Sequence, residues 1–547
     1  MSHYRSIVII LSALYYSFSF NYSMSSDDYV FIVRGISLAN PDFALNDWFI
    51  NTFSYHFIFD YLVSFFYSIS SSENWFFRVF FSSFVFLHFV MALSFYQLFK
   101  NKKYGYFLWV IFLLFFRVLI NKFFFSFGFM LSYSPERYAS ILLLISFSLI
   151  IMEHINIGIF ILSLAALFHL NTFLLISILL FFIILYSWIY KKIKVYFILG
   201  ILFFLICSIP NIYIILKVLA FPKELIEKSN EIMRNVRSPF HYSVRDIFNR
   251  TYIINFYILN SFPLIFLIYT WWKNKKLKIS IDIYLYLVIF FLINFWIVLM
   301  NFYPINFVRN LHIGRLTPYV LFIGFYIFVS NIPEFLSEIK KTLVFIFIFF
   351  SILCLIVSIK LYIPLIILTA ILSLNFFLKK RLALNITALI VLIVFFNFSN
   401  RWKTNLNRFI QPSLFYMSEH YRPVYSWIKN NTPIGSIILI SKKFHAVRFF
   451  TQRAIVVNFK NFPVMPVDTI EWYNRIKDLD YDDKLKTNSK ASSNIGYESK
   501  NLNELSVTAK KYGASFVIIE KKYLKEEDAN KMYCYKDDEF IVYRINI

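Results

Sequence analysis

Long apolar stretches separated by short polar breaks fill residues 1–398, whereas residues 399–547 alternate between polar and apolar patches. An apolar stretch of about 18 residues or more is long enough to cross a bilayer as a helix. The pattern predicts spans near 5–22, 78–99, 104–120, 138–152, 155–169, 171–190, 195–216, 252–272, 282–302, 317–331, 342–358, 361–377 and 382–398, about 13 in all. Two polar intervals are long, a first loop over 23–77 and a later one over 217–251. Inside the first, residues 56–70 are apolar and aromatic, but the stretch is short and His56 and Asp60 interrupt it. That reads as an interfacial or re-entrant helix, not a span.

The remaining segment follows another rhythm. Residues 436–440, 454–457 and 515–519 read as buried strands, and 423–430, 468–479 and 502–512 as helices. Alternation of this kind predicts a small α/β domain. The expected fold class is therefore an all-α polytopic membrane domain over 1–398, followed by a small α/β soluble domain over 399–547.

Composition agrees: 59% of the 547 residues are hydrophobic and 16% charged, fewer charges than a soluble chain carries. The net charge of +24 does not point to nucleic acid. Lys and Arg gather at 100–103, 191–194, 273–278, 340–341 and 379–381, between apolar stretches. With the N-terminus in the cytoplasm, alternating spans put every one of these clusters inside. Only Arg5 precedes the first apolar stretch and no small-residue cleavage site follows it, so it reads as a retained helix. Three cysteines make no disulfide framework or metal cluster, and no Gly-rich phosphate loop is present, which argues against a nucleotide-driven engine.

This orientation gathers the polar residues near helix ends on the outer face. They are Asp27, Asp28, Asp42, Asp47, Glu136, Arg137, His169, His241, Arg309 and Arg315, with the C-terminal domain on the same side. Ionisable groups beside hydrocarbon are costly and so point to function. The plainer alternative for Asp27 and Asp28 is a wet helix end or an N-cap. Arg137 could pair with Glu136 or snorkel to headgroups, and His169 could cap a helix. Asp47 could hold a turn. Arg309 and Arg315 could bind anionic lipid. In the tail, Arg448, Arg453, Lys460, Glu471 and Arg475 suit docking onto the membrane part better than chemistry.

The layout of one helix, an acidic pair opening a long outer loop, about 13 helices and an outer tail resembles the GT-C glycosyltransferases. A closer resemblance is to a group of uncharacterised bacterial membrane proteins of the same layout. Its patterns look like Asn40-Pro41-Asp42 through Asp47, Glu136-Arg137, Phe168-His169, Arg237-Ser238-Pro239-Phe240-His241, Phe449 through Lys460, and Glu471 through Arg475. The chain departs from them at Leu170, where Pro is usual, and in having a single His at 241.

The GT-C resemblance implies transfer of a sugar from a polyprenyl-phosphate carrier to an acceptor on the outer face of a bacterial inner membrane. Such transfer needs a carboxylate base and cations at the leaving phosphate. Asp27 or Asp28 would be the base, and the resemblance favours Asp27. Arg137, His241, Arg309 and Arg315 would hold the donor phosphate, with Asp47, Glu136 and His169 as further outer-face candidates. The implied partners are a polyprenyl-phosphate-linked sugar, the bilayer, and a glycan, lipid or protein acceptor. Two adjacent carboxylates could also hold a divalent metal, although no His or Cys spacing supports one. A flippase for a lipid-linked saccharide and a non-catalytic scaffold with a partner-binding tail stay open beside the enzyme. The flippase lacks the support of inverted halves.

Overall fold

The computed structural model describes residues 2–20, 26–70, 72–102, 105–123, 134–190, 195–237, 250–274, 279–302, 313–338, 401–410, 421–480 and 495–546. The N-terminal helices are α1 (Ser2–Phe18), α2 (Ser26–Ala39), α3 (Phe57–Ser68), α4 (Glu73–Phe99), α5 (Gly105–Phe123), α6 (Pro135–Ile151) and α7 (Ile155–Phe168). There follow α8 (Leu170–Ile189), α9 (Val195–Leu219), α10 (Lys223–Ile232), α11 (Arg250–Asn274), α12 (Ile281–Phe302) and α13 (Thr317–Glu338). Each of the first ten expected spans coincides with a helix, and the last three expected spans lie outside the described residues. Among the described residues, five stretches are long and apolar enough to cross a membrane: Glu73–Phe99, Leu170–Ile189, Phe197–Leu219, Ile281–Met300 and Ile313–Asn331. The chain is a multi-pass membrane protein.

The first loop is more ordered than its sequence implied. Residues 26–39, expected as loop, form α2. Tyr29, Ile32, Val33 and Ile36 are all buried, and this spacing of three, four and seven is one face of a helix. Asp27, Asp28, Arg34 and Gly35 break the apolar run and hide the period. A Cβ on Gly35 would lie 2.5 Å from the Val63 Cβ and 2.6 Å from the Asp60 carbonyl, so glycine is what lets α2 lie against α3. At 12 residues, α3 is about 18 Å long and too short to span, as expected of residues 56–70.

The tail contains α14 (Arg401–Ile410), α15 (Arg422–Asn431), β1 (Ile437–Leu439), α16 (Val447–Thr451), β2 (Ala454–Ile455), α17 (Pro466–Asp480), α18 (Ile495–Ser499) and α19 (Leu502–Lys511). It closes with β3 (Phe516–Glu520), β4 (Tyr535–Lys536) and β5 (Phe540–Arg544). The sheet order is β2-β1-β3-β5-β4; β1 pairs parallel with β2 and β3, and β5 pairs antiparallel with β3 and β4. Both faces are buried. Ile438, Phe516 and Val542 join the apolar core that continues into the helical bundle, while Leu439, Val517 and Ile541 belong to a second core under α17 and α19. The period-two alternation of strands sorts the residues between the two.

Polar bonds lock the tail onto the bundle. The Asn405 carboxamide donates to the Phe18 and Phe20 carbonyls at 2.6 and 2.5 Å. Arg78 donates to the carbonyls of Phe409 and Ile410 at the end of α14, where the helix dipole favours a cation. Asn46 donates to the Gly435 carbonyl at 2.7 Å, and Glu73 pairs with Lys429 at 2.9 Å. The deepest of these links is Asp47 with Arg448: Nε to Oδ2 is 2.5 Å, and the side chains are 0% and 2% exposed. The same carboxylate oxygen accepts from the Ile455 amide at 3.0 Å, and Oδ1 accepts from the Ile50 amide at 3.1 Å. Breaking a buried pair strands its partner's charge, typically at about 3–5 kcal/mol. Asp47→Asn is therefore expected to lower unfolding stability in detergent by about that amount and to speed proteolysis of the tail. Asp47→Asn combined with Arg448→Met is expected to cost less than the sum of the two changes, read from denaturant or thermal unfolding.

Candidate functional site

The loop after α2 brings His56 to the end of α7, with the Tyr55 ring packed 3.8 Å from it. Arg34 is 7% exposed. Its guanidinium donates to the Phe49 carbonyl at 2.8 Å and the Thr52 hydroxyl at 2.6 Å, and it covers the Phe49 ring at 4.1 Å. Arg34, Arg237 and Arg315 all lie within electrostatic reach of the Tyr55 phenol. Burial pushes that phenol above its ordinary range, and the three arginines pull it back. Three cations from separate parts of the chain thus act on one phenol.

Arg315, in the 3-10 turn Ile313–Leu316 that leads into α13, bonds to Glu136 at 2.7 Å. Glu136 and Arg137 occupy the first turn of α6, which Ser134 caps by accepting from the Arg137 amide, with Pro135 in the opening position. Arg137 is 1% exposed, its guanidinium 5.1 Å from the Phe84 ring centre. His169 joins α7 to α8 in extended backbone.

His56 stacks on His169 with ring centres 5.1 Å apart, and its Nδ1 lies 3.3 Å from the Phe168 carbonyl oxygen. A carbonyl can only accept, so Nδ1 carries the proton and Nε2 presents a lone pair. Burial holds the imidazole neutral, lowering its pKa to about 3. Asp60 on α3 accepts from the Ser54 hydroxyl at 2.5 Å. Burial raises its pKa to about 6, against the opposing pull of Ser54 and Arg34.

The acidic pair opens α2. Asp28 is fully buried, and the neighbouring Tyr29 ring packs 5.8 and 5.7 Å from Phe449 and Phe450 of the tail. Arg34 follows it by six residues, about 9 Å along the helix axis. Asp27 falls in the same first turn, where backbone N–H groups favour a carboxylate. The side chain of Asp27, together with His241 and Arg309, lies outside the described residues. Glu136, Arg137, His169 and Arg315 are brought together at this end of the bundle. Asp47 ties the loop to the tail through Arg448. Among the described residues no group of three or more His, Cys, Asp or Glu side chains converges on a metal position.

Reading the sequence singled out neither Arg34 nor Tyr55 as site residues, and it noted Arg237 only within a motif. A signal existed for Arg34, a charge inside an apolar run. His56 and Asp60 drew notice only as interruptions. Tyr55 carried no signal.

This arrangement of membrane helices, ordered first loop and α/β tail is a known one. Among solved structures it is shared with ArnT from Cupriavidus metallidurans bound to undecaprenyl phosphate, at a TM-score of 0.53 and 11% identity, over 99% of this chain and 98% of that one. The apo state of the same protein superimposes at 0.48 and 11% identity, over 99% and 97%. At such identity the likeness establishes the fold. No curated protein matches the chain. A family described as Domain of unknown function (DUF6798) matches residues 419–479, the segment that carries Arg448.

The raised pKa of Asp60 has a consequence for stability. Its folded state holds the proton more tightly than the unfolded chain, so this contribution is complete below about pH 4 and is lost as pH rises through about 6. Thermal melts between pH 4 and 7 are expected to show that slope in the wild type and to lack it in Asp60→Asn.

Proposed function

We propose that the chain is a membrane glycosyltransferase that moves a sugar from a polyprenyl-phosphate carrier to an acceptor on the outer face of a bacterial inner membrane. The observation that carries this reading is the set of arginines Arg34, Arg237 and Arg315 within electrostatic range of Tyr55, with Arg34 held by the Phe49 carbonyl and the Thr52 hydroxyl and Arg315 by Glu136. It gains support from the shared fold with a structure bound to undecaprenyl phosphate.

In this reading a carboxylate of the α2 first turn, Asp27 or Asp28, takes the proton of the acceptor hydroxyl. The oxygen attacks the anomeric carbon, the bond from that carbon to the phosphate oxygen breaks, and the electron pair leaves on the carrier phosphate. The arginines stabilise the charge that develops there, and burial strengthens their effect. His56, neutral and fixed in tautomer by donating from Nδ1 to the Phe168 carbonyl, brings no charge that competes for the phosphate. Arg137 and Arg315 border the same region, and Glu136 holds Arg315 in place. The reading also assigns His241 and Arg309, outside the described residues, to the donor phosphate.

The experiment is a paired binding and transfer assay on purified full-length protein. Arg315→Gln is expected to weaken undecaprenyl phosphate binding about tenfold or more, the loss of a charge-assisted hydrogen bond. Asp28→Asn or Asp27→Asn is expected to leave binding intact and lower transfer by about 10²–10⁴, the usual share of a general base. Undiminished transfer in both single variants and the double contradicts the base assignment. A wild type that binds the carrier yet releases no sugar from any acceptor mixture contradicts the enzyme.

A further inference from the structure

The tail sheet changes direction at one strand. From β1 the chain passes to β2 on one side, then returns across β1 to β3 on the other. In open parallel sheets ligands bind outside the carboxyl ends of the strands at such a reversal. Beyond β1 the chain reads Ser441-Lys442, with side chains 2% and 2% exposed. The stretch after β2 lies alongside it, since the Phe459 amide donates to the Lys442 carbonyl at 3.3 Å.

Two asparagines in that stretch behave in opposite ways. Asn458 is fully engaged: its amide donates to the Phe444 carbonyl, and its Oδ1 meets the His445 ring and the Lys460 amide. Asn461 is 1% exposed, and neither its Oδ1 nor its Nδ2 has a partner; the buried Ser441 hydroxyl has none either. Folded proteins seldom leave three such atoms unbonded, and each exception calls for an explanation such as a bound water, an ion or a functional role. The Arg237 guanidinium and the Lys442 ammonium both lie 5.6 Å from the Phe459 ring centre. Because Arg237 also reaches the Tyr55 phenol, this region of the tail is continuous with the basic cluster of the bundle.

We propose that the carboxyl end of β1 is the subsite for the sugar head group of the lipid-linked donor. The Ser441 hydroxyl and the Asn461 carboxamide hydrogen-bond the sugar hydroxyls, and Arg237 and Lys442 face the phosphate that joins sugar to lipid. A carboxamide suits this task because it offers two donors and an acceptor. The assignment rests on the proposed use of a polyprenyl-phosphate sugar, and it gives the tail a role in reading the substrate.

The test is equilibrium binding by full-length protein in detergent. The probes are bare undecaprenyl phosphate and undecaprenyl phosphate bearing glucose, galactose or N-acetylglucosamine. Asn461→Leu and Ser441→Ala are each expected to weaken the tightest glycosylated probe about tenfold, the loss of one good hydrogen bond, and to leave the bare carrier unchanged. Both variants should fold, because each removes an unbonded polar group; melting temperature checks this, and Asn461→Ala replaces the leucine variant if it melts early. Unchanged affinity for the glycosylated probe means that these atoms hold only buried water, and overturns the proposal. An equal loss for bare and glycosylated carriers assigns the residues to the phosphate and overturns the sugar subsite. A wild type that binds the bare carrier and no glycosylated one also overturns the subsite, whereas a wild type that binds neither overturns the proposed function itself.

Discussion

A carboxylate and a guanidinium with almost no access to water, Asp47 and Arg448, hold the two halves of this protein in register. The pair joins the loop after α2 to the helix that precedes β2. Removing two charges from water is costly, and their attraction repays that cost only where further hydrogen bonds complete the site. Here the backbone amides of Ile50 and Ile455 complete the carboxylate's side. Such an arrangement specifies one docking geometry. It does so where geometry matters, because Arg34, Tyr55 and His56 stand on the same loop and Asn458 to Asn461 follow the same strand.

The consequence is electrostatic. Arginines that would be weakly felt in water are gathered where water is scarce, around a phenol and the neutral His56 imidazole. Three of the described acidic side chains there are engaged: Glu136 with Arg315, Asp60 with Ser54, and Asp47 with Arg448. A phosphate brought to this place would meet preorganised donors with little reorganisation, which is the main means by which such sites stabilise a leaving group. The buried carboxylate Asp28 opens the helix that also carries Arg34, so base and phosphate site would share one rigid element.

Much of this was legible in the chain. Apolar stretches that cross a bilayer are the strongest signal a sequence carries, and α4 to α9 fall within a few residues of the expected limits. The strands β1, β2 and β3 were equally visible as β-branched and aromatic runs. Helix α2 was not, since Arg34 and Gly35, each needed for a contact, erase its apolar period. Strand β5 carried the same composition in Phe540-Ile541-Val542-Tyr543 and was not among the expected strands. Of the site, Glu136, Arg137, His169 and Arg315 could be gathered by side alone, because helix ends on one face must meet. Which of them touch could not be read, and the partner of Asp47 lies 401 positions away in the chain. Tyr55 shows the limit most clearly: its surroundings come from four separate parts of the chain.

In the proposed function, bundle and tail form one basic site around Tyr55. A structure of the full chain determined with undecaprenyl phosphate tests it most directly. Phosphate density is expected between Arg34, Arg237 and Arg315, within hydrogen-bond reach of at least two of them. Phosphate density at the opposite end of the bundle, with these three arginines unengaged, would contradict it.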